Sequence, residues 1–122
     1  MIAMPPLVTV IDDDESVRES LPYLLRECGF SAAAFSSAEE FLTSDCLEKA
    51  RCLILDMAMP GMSGLELQHE LARSGRNIPI VFITANRDET IRLLALKRGA
   101  IDYLFKPFSE TVLLEAINAA FL

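Results

Sequence analysis

Short apolar runs alternate along the chain with longer segments whose apolar residues recur at helical spacing. Leu7-Val8-Thr9-Val10-Ile11 is continuous and β-branched, as in a strand buried on both faces. Ser16 to Cys28 carries Val17, Leu21, Leu24 and Leu25 at helical spacing, with Gly29 as a C-terminal stop. Pro22 lies inside that helix, removes one intrahelical hydrogen bond and predicts a local kink. Phe30 to Phe35 reads as a second strand. Ser37-Ala-Glu-Glu40 reads as a capping-box start for a short helix ending near Thr43. Cys52 to Asp56 is a third strand that ends on a charge, and Met57 to Ser63 is a loop containing Pro60-Gly61. Leu65 to Ser74 is a helix closed by Gly75, and Ile78 to Thr84 is a fourth strand. Asp88 to Arg98 is a helix with acids in its first turn and bases in its last, the order that suits the helix dipole. Ile101 to Phe105 is a fifth strand, and Ser109 caps a final helix. Five strands joined through five helices must run parallel with right-handed crossovers, which predicts a doubly wound α/β sandwich.

Composition narrows the function. At 122 residues the chain fits one domain, and it should bury about two-thirds of its extended surface. Apolar residues make up 52%, so it is not a disordered acidic tail. With 11 Lys+Arg against 18 Asp+Glu the net charge is −7, which argues against a duplex nucleic-acid groove or an anionic membrane surface. Cys28, Cys46 and Cys52 are odd in number, form no C-x-x-C and share the chain with a single histidine, so neither a zinc set nor a disulfide framework is expected. Reduced thiols in a cytoplasmic protein fit that pattern. The opening MIAMPPLVTVIDDDE lacks a basic start and a long apolar stretch, so no secretory leader is expected. No run reaches the roughly 18 apolar residues of a membrane span.

The polar residues fall at informative places. Asp12 and Asp13 follow the first strand, Asp56 ends the third, Thr84 ends the fourth and Lys106 follows the fifth. In a parallel sheet these are all carboxyl ends, the edge where open α/β sheets place their sites. Clustered carboxylates repel unless a cation intervenes. Oxygen ligands without histidine or thiolate suit a hard ion, Mg²⁺ or Mn²⁺. A lysine can hold a phosphate oxygen as a point charge, a threonine hydroxyl can donate to another, and an aspartate can attack phosphorus to form an acyl phosphate. The set matches the needs of a metal-assisted phosphoryl acceptor.

Four stretches carry a family likeness: Val10-Ile11-Asp12-Asp13-Asp14, Asp56-Met57-Ala58-Met59-Pro60-Gly61-Met62-Ser63-Gly64, Ile83-Thr84-Ala85, and Lys106-Pro107-Phe108. With them the chain resembles, over its whole length, the receiver domain of bacterial two-component response regulators, and within these the FixJ/NarL-type. The resemblance implies a flavodoxin-like sheet of order 2-1-3-4-5 and a single receiver domain over residues 1–122, without the DNA-binding effector domain that normally follows. It implies Asp56 as phosphoryl acceptor from a histidine kinase. Asp12, Asp13, Asp56 and the backbone carbonyl of Ala58 would be the metal ligands, and Lys106 the phosphate-holding cation. Thr84 and Tyr103 would be switch residues, and the bond before Pro107 would be cis.

Blander readings stand beside these. Asp12-Asp13-Asp14-Glu15 also suits a solvated helix start, Thr84 an ordinary strand residue, and Lys106 a surface lysine. Met57, Met59 and Met62 are expected to fill gaps rather than bind metal, and His69 to be exposed. The helix Asp88–Arg98 carries more apolar residues than one stripe needs, so Leu93 or Leu94 should face outward. Leu93 and Leu94, with Lys97 and Asp102, are candidates for a face through which phosphorylation drives homodimerisation. An aspartyl phosphatase reading is disfavoured because Ala58 stands where an Asp-x-Asp motif needs its acid. A flavodoxin-like electron carrier is disfavoured because Asp12-Asp13-Asp14-Glu15 would repel a flavin phosphate. A stand-alone receiver acting in a phosphorelay or by protein contact remains open.

Overall fold

A computed structural model describes residues 5–122; Met1–Met4, on which part of the leader argument rests, lie outside the described residues. The elements run β1 (Leu7–Ile11), α1 (Glu15–Glu27), β2 (Ser31–Phe35), α2 (Ala38–Leu42), α3 (Cys46–Lys49), β3 (Cys52–Asp56), α4 (Gly64–Arg73), β4 (Ile80–Thr84), α5 (Glu89–Lys97), β5 (Asp102–Phe105) and α6 (Glu110–Ala120). The strands form one parallel sheet of order β2-β1-β3-β4-β5, as expected.

Burial follows the sequence pattern. β3 and β4 are buried at every position, so alternate residues feed two cores. Leu53, Leu55 and Phe82 pack with Phe41, Leu67, Leu71 and Ala95 on one face. Val8, Val10, Ile54, Val81 and Ile83 pack with Leu21, Leu25, Leu113, Ala116 and Ile117 on the other. β2 (Ser-Ala-Ala-Ala-Phe) is half-buried throughout, in keeping with its place at the sheet edge. No helix among the described residues is long and apolar enough to cross a membrane.

Several expectations need correction. There are six helices among the described residues, not five: the four-residue α3 lies between α2 and β3, too short for a periodic signal. The helix that carries Leu93, Leu94 and Lys97, fourth in the expected order, is therefore the fifth, α5, while Asp102 opens the fifth strand, β5, as numbered from sequence. The Ser37 hydroxyl accepts from the Glu40 N–H, but the Glu40 carboxylate turns back to the Ser36 N–H, so only half a capping box forms there. The complete box is Ser63 with Glu66, at the start of α4. α1 begins one residue earlier, capped by Asp14, and runs as one element through the buried Pro22. β4 starts after Pro79, which has no N–H to give a ladder.

Candidate functional site

The register places the predicted residues together. Ile11 pairs with Leu55, Asp56 with Ile83, and Thr84 with Phe105, so Asp12, Asp56, Thr84 and Lys106 all stand at the carboxyl edge. Asp12 is fully buried. Its Oδ1 accepts from the Asp14 N–H at 2.9 Å, its Oδ2 from Lys106 Nζ at 2.8 Å, and its carbonyl from the Arg18 guanidinium at 3.1 Å. Asp13 is exposed beside it. Asp12, Asp13 and Asp56 each offer a carboxylate oxygen, all within 4.8 Å of one another. Lys106 Nζ lies 3.9 Å from Asp56 Oδ1.

The electrostatics of this cluster are one-sided. Asp56 is buried, and its carboxyl is pushed up to about 7. Desolvation is the main cause, followed by the charge of Asp12; Lys106 and the Ala58 N–H, 3.4 Å from Asp56 Oδ1, pull the other way. One ammonium therefore does not balance the buried carboxylate pair. An all-oxygen, under-neutralised trio of this kind fits a hard divalent cation. No histidine or thiolate stands among these donors.

Around the cluster, the Thr84 side chain is buried and its Oγ1 accepts from the Asn86 N–H at 3.0 Å. The Lys106 N–H donates to the Thr84 carbonyl at 2.7 Å, and the Lys106–Pro107 bond is cis, as the resemblance implied. Tyr103 is buried between Phe82 and Phe105, with ring centroids at 6.0 and 5.7 Å. Its hydroxyl is buried without a hydrogen-bond partner among the described residues, and desolvation raises its pKa, opposed by the neighbouring Thr84 side chain. Arg87 rests 4.7 Å above the Phe105 ring.

Two residues near the site had no assigned role in the sequence. A Cβ on Gly64 would lie 2.6 Å from the Asp56 carbonyl oxygen and 2.9 Å from Met57 Cα, so only glycine lets α4 start against the end of β3. The Gly64 N–H then donates to the Met57 carbonyl at 3.0 Å. Glu39 reaches across from α2 and accepts from the Met62 N–H at 3.1 Å, holding the loop that follows Asp56. The cue for Gly64 was its position after Ser63 in the Asp56 stretch; Glu39 had none.

The remaining candidates sit apart from this edge. Leu93 is 57% exposed, Leu94 is half-buried and Lys97 is exposed. Asp102 is half-buried and its carboxylate accepts from the Tyr103 N–H at 2.8 Å. His69 is exposed, while Met57 and Met59 are buried in the core, with Met62 packed against it. The three cysteines are free, and burial pushes the Cys52 thiol up to about 12.

A parallel five-stranded α/β domain with an acidic, under-neutralised pocket, a buried threonine and a lysine at its carboxyl edge has the architecture of a signalling phosphoacceptor module. Residues 8–118 match the response regulator receiver domain, and the chain belongs to that family. It is 46% identical over 114 residues to nodulation protein W of Bradyrhizobium diazoefficiens, covering 93% of this chain and 50% of that protein. It is 41% identical over 113 residues to the transcriptional regulatory protein FixJ of Rhizobium meliloti, covering 93% of this chain and 55% of that protein. The chain thus spans about half the length of the curated relatives it matches. Among solved structures, response regulator StyR superposes with a TM-score of 0.88 at 51% identity over 95% of this chain and 59% of that one. The crystal structure of FixJ-N superposes with a TM-score of 0.85 at 39% identity, over 97% and 94%.

Proposed function

We propose that Asp56 is the phosphoryl acceptor of this receiver domain, and that the carboxyl-edge cluster is its reaction centre. The observation that carries this reading is the buried Asp56 carboxylate held beside Asp12, with Asp13 within the same 4.8 Å cluster and Lys106 Nζ at 3.9 Å. A histidine kinase presents a phosphohistidine. An Asp56 oxygen attacks phosphorus in line; the P–N bond breaks as the P–O bond forms, and the imidazole nitrogen leaves with the electron pair and takes a proton from solvent. Lys106 stabilises charge on the phosphoryl oxygens. Asp12, Asp13, Asp56 and the Ala58 carbonyl would hold Mg²⁺ or Mn²⁺, which when bound neutralises the clustered charge and draws the phosphoryl oxygens in. The role is that of a switch, with at most slow self-dephosphorylation.

The product is an acyl phosphate carrying about −1.5 to −2 charges if it behaves like other phosphorylated side chains. The Thr84 hydroxyl turns toward it, releasing the Asn86 N–H, and Tyr103 repacks. The α5–β5 face, with Leu93, Leu94, Lys97 and Asp102, changes shape and pairs with a second copy. The domain works in the cytoplasm, and in the full-length protein it controls a DNA-binding output domain. The names of relatives such as transcriptional regulatory protein FixJ support that output over a stand-alone relay. The test is intact mass after incubation with acetyl phosphate, with and without Mg²⁺. A single phosphoryl adduct that needs Mg²⁺ and vanishes in Asp56→Ala is expected; an unchanged mass, beside a reacting control receiver, would overturn the reading.

A further inference from the structure

We infer that Gln68 is a pin that fixes the carboxyl-terminal end of α5 to α4, so that α5 answers phosphorylation by tilting about Ala95. This rests on the proposed role of Asp56.

Gln68 lies one turn beyond Gly64, the residue wedged against the Asp56 and Met57 backbone. It is only 5% exposed, unusual for a glutamine. Its Nε2 donates to the Ala95 carbonyl at 3.1 Å, the one side-chain hydrogen bond between α4 and α5 among the described residues. Ala95 is the single fully buried residue of α5. The other apolar residues of α5, Ile91, Leu94 and Leu96, are only half-buried, apart from the exposed Leu93. A cavity of about 310 Å³, lined by Gln68, Leu71, Ile80, Arg98 and Gly99 among others, lies beside its carboxyl end.

The opposite end of α5 begins a few residues after Thr84. There the Asn86 N–H donates to Thr84 Oγ1, and Asp88 caps the helix through the Thr90 and Ile91 N–H groups. A Thr84 hydroxyl that turns toward Asp56 frees Asn86, so the amino end of α5 loosens while Ala95 stays fixed. The bond is one of the four that a glutamine amide can make. Gln68 Oε1 is buried without a donor among the described residues, so this arrangement does not satisfy Gln68 fully. A movement of α5 that brought a donor to Oε1 would gain a hydrogen bond.

The substitution Gln68→Leu separates a pin from a filler. Leucine keeps the apolar bulk, and the Ala95 carbonyl still accepts from the Ala100 N–H at 3.1 Å, so no backbone group is orphaned. The protein should stay folded. Amide exchange across α5 in the unphosphorylated variant should quicken about fivefold, the equivalent of one ordinary hydrogen bond. The exchange difference that phosphorylation produces in α5 should fall to less than half of wild type, while acetyl phosphate still labels Asp56 at the wild-type rate. Unchanged α5 exchange in the unphosphorylated Gln68→Leu protein would overturn the pin. If wild type takes up no phosphate, the role of Asp56 fails instead, and the exchange of the unphosphorylated pair still decides whether Gln68 holds α5. A Gln68→Met variant repeats the comparison with an unbranched side chain.

Discussion

Asp56 is kept short of its ordinary acidity by burial and by Asp12, and both consequences are measurable. Its carboxyl stands at about 7 in the fold against 3.8 ordinarily, so the folded state holds that proton more tightly than the unfolded chain does. The stability this group contributes is present below about pH 4 and is lost as pH rises through about 7. In EDTA, wild type should lose stability over that window relative to Asp56→Asn, whose Tm should be higher at pH 8 by the equivalent of about 1–3 kcal/mol. Added Mg²⁺ should close the gap, as paired melting curves would show. Lys106 is the other half of this balance. Lys106→Met leaves the fully buried Asp12 without its 2.8 Å partner and should cost about 2–4 kcal/mol in metal-free buffer, less with Mg²⁺. Denaturant titration would measure both values. The placement of Asp12, Asp13, Asp56, Thr84 and Lys106 at one edge was legible in sequence because Asp56 and Thr84 end apolar strands and the others follow them. Glu39 and Gln68 were not: on an amphipathic helix a polar residue reads as solvated, and only the tertiary packing shows one holding a loop and the other holding a neighbouring helix.

Elements, more than single side chains, set the precision of the acceptor. α4 starts hard against β3 because residue 64 has no side chain, and the Ser63–Glu66 box fixes that start. Gly64→Ala must push backbone against backbone. It should destabilise the domain by about 1–3 kcal/mol and slow phosphorylation from acetyl phosphate by about tenfold or more as Asp56 shifts. Gly75→Ala, at φ 76° with open space around it, should cost about 1 kcal/mol and leave phosphorylation unchanged. Stopped-flow labelling of the two variants separates placement of the site from stability of the fold. Strands and long helices were readable from apolar periodicity, since β1, β3 and β4 are nearly continuous hydrophobic runs. α3 was not, because four residues make a single turn and no stripe. The capping box expected at Ser37 fails for a similar reason: Glu40 has a competing donor at Ser36, a choice made by side-chain geometry rather than by spacing.

Charge is distributed over the whole molecule by its architecture. α1, α4 and α5 start at the carboxyl edge with Glu15, Glu66 and Glu89 in their first turns and end with Arg26, Arg73 and Lys97 in their last, following the helix dipole; α2 and α6 start there with Glu39, Glu40 and Glu110. The carboxyl edge is thereby acidic and suited to a cation. On the α5–β5 face, Leu93 is the exposed apolar candidate for pairing. Sedimentation velocity should show a monomer before phosphorylation and a dimer after it, with Leu93→Asp remaining monomeric while still taking up phosphate. The central claim, that the phosphoryl group lands on the carboxylate at the end of β3, is tested most directly by borohydride trapping. After acetyl phosphate and Mg²⁺, reduction should convert residue 56 to homoserine, read by tandem mass spectrometry of the peptide containing Cys52–Asp56. Homoserine at position 56 alone is the predicted result; homoserine at Asp12 or Asp13, or at no residue in a phosphorylated sample, would contradict it.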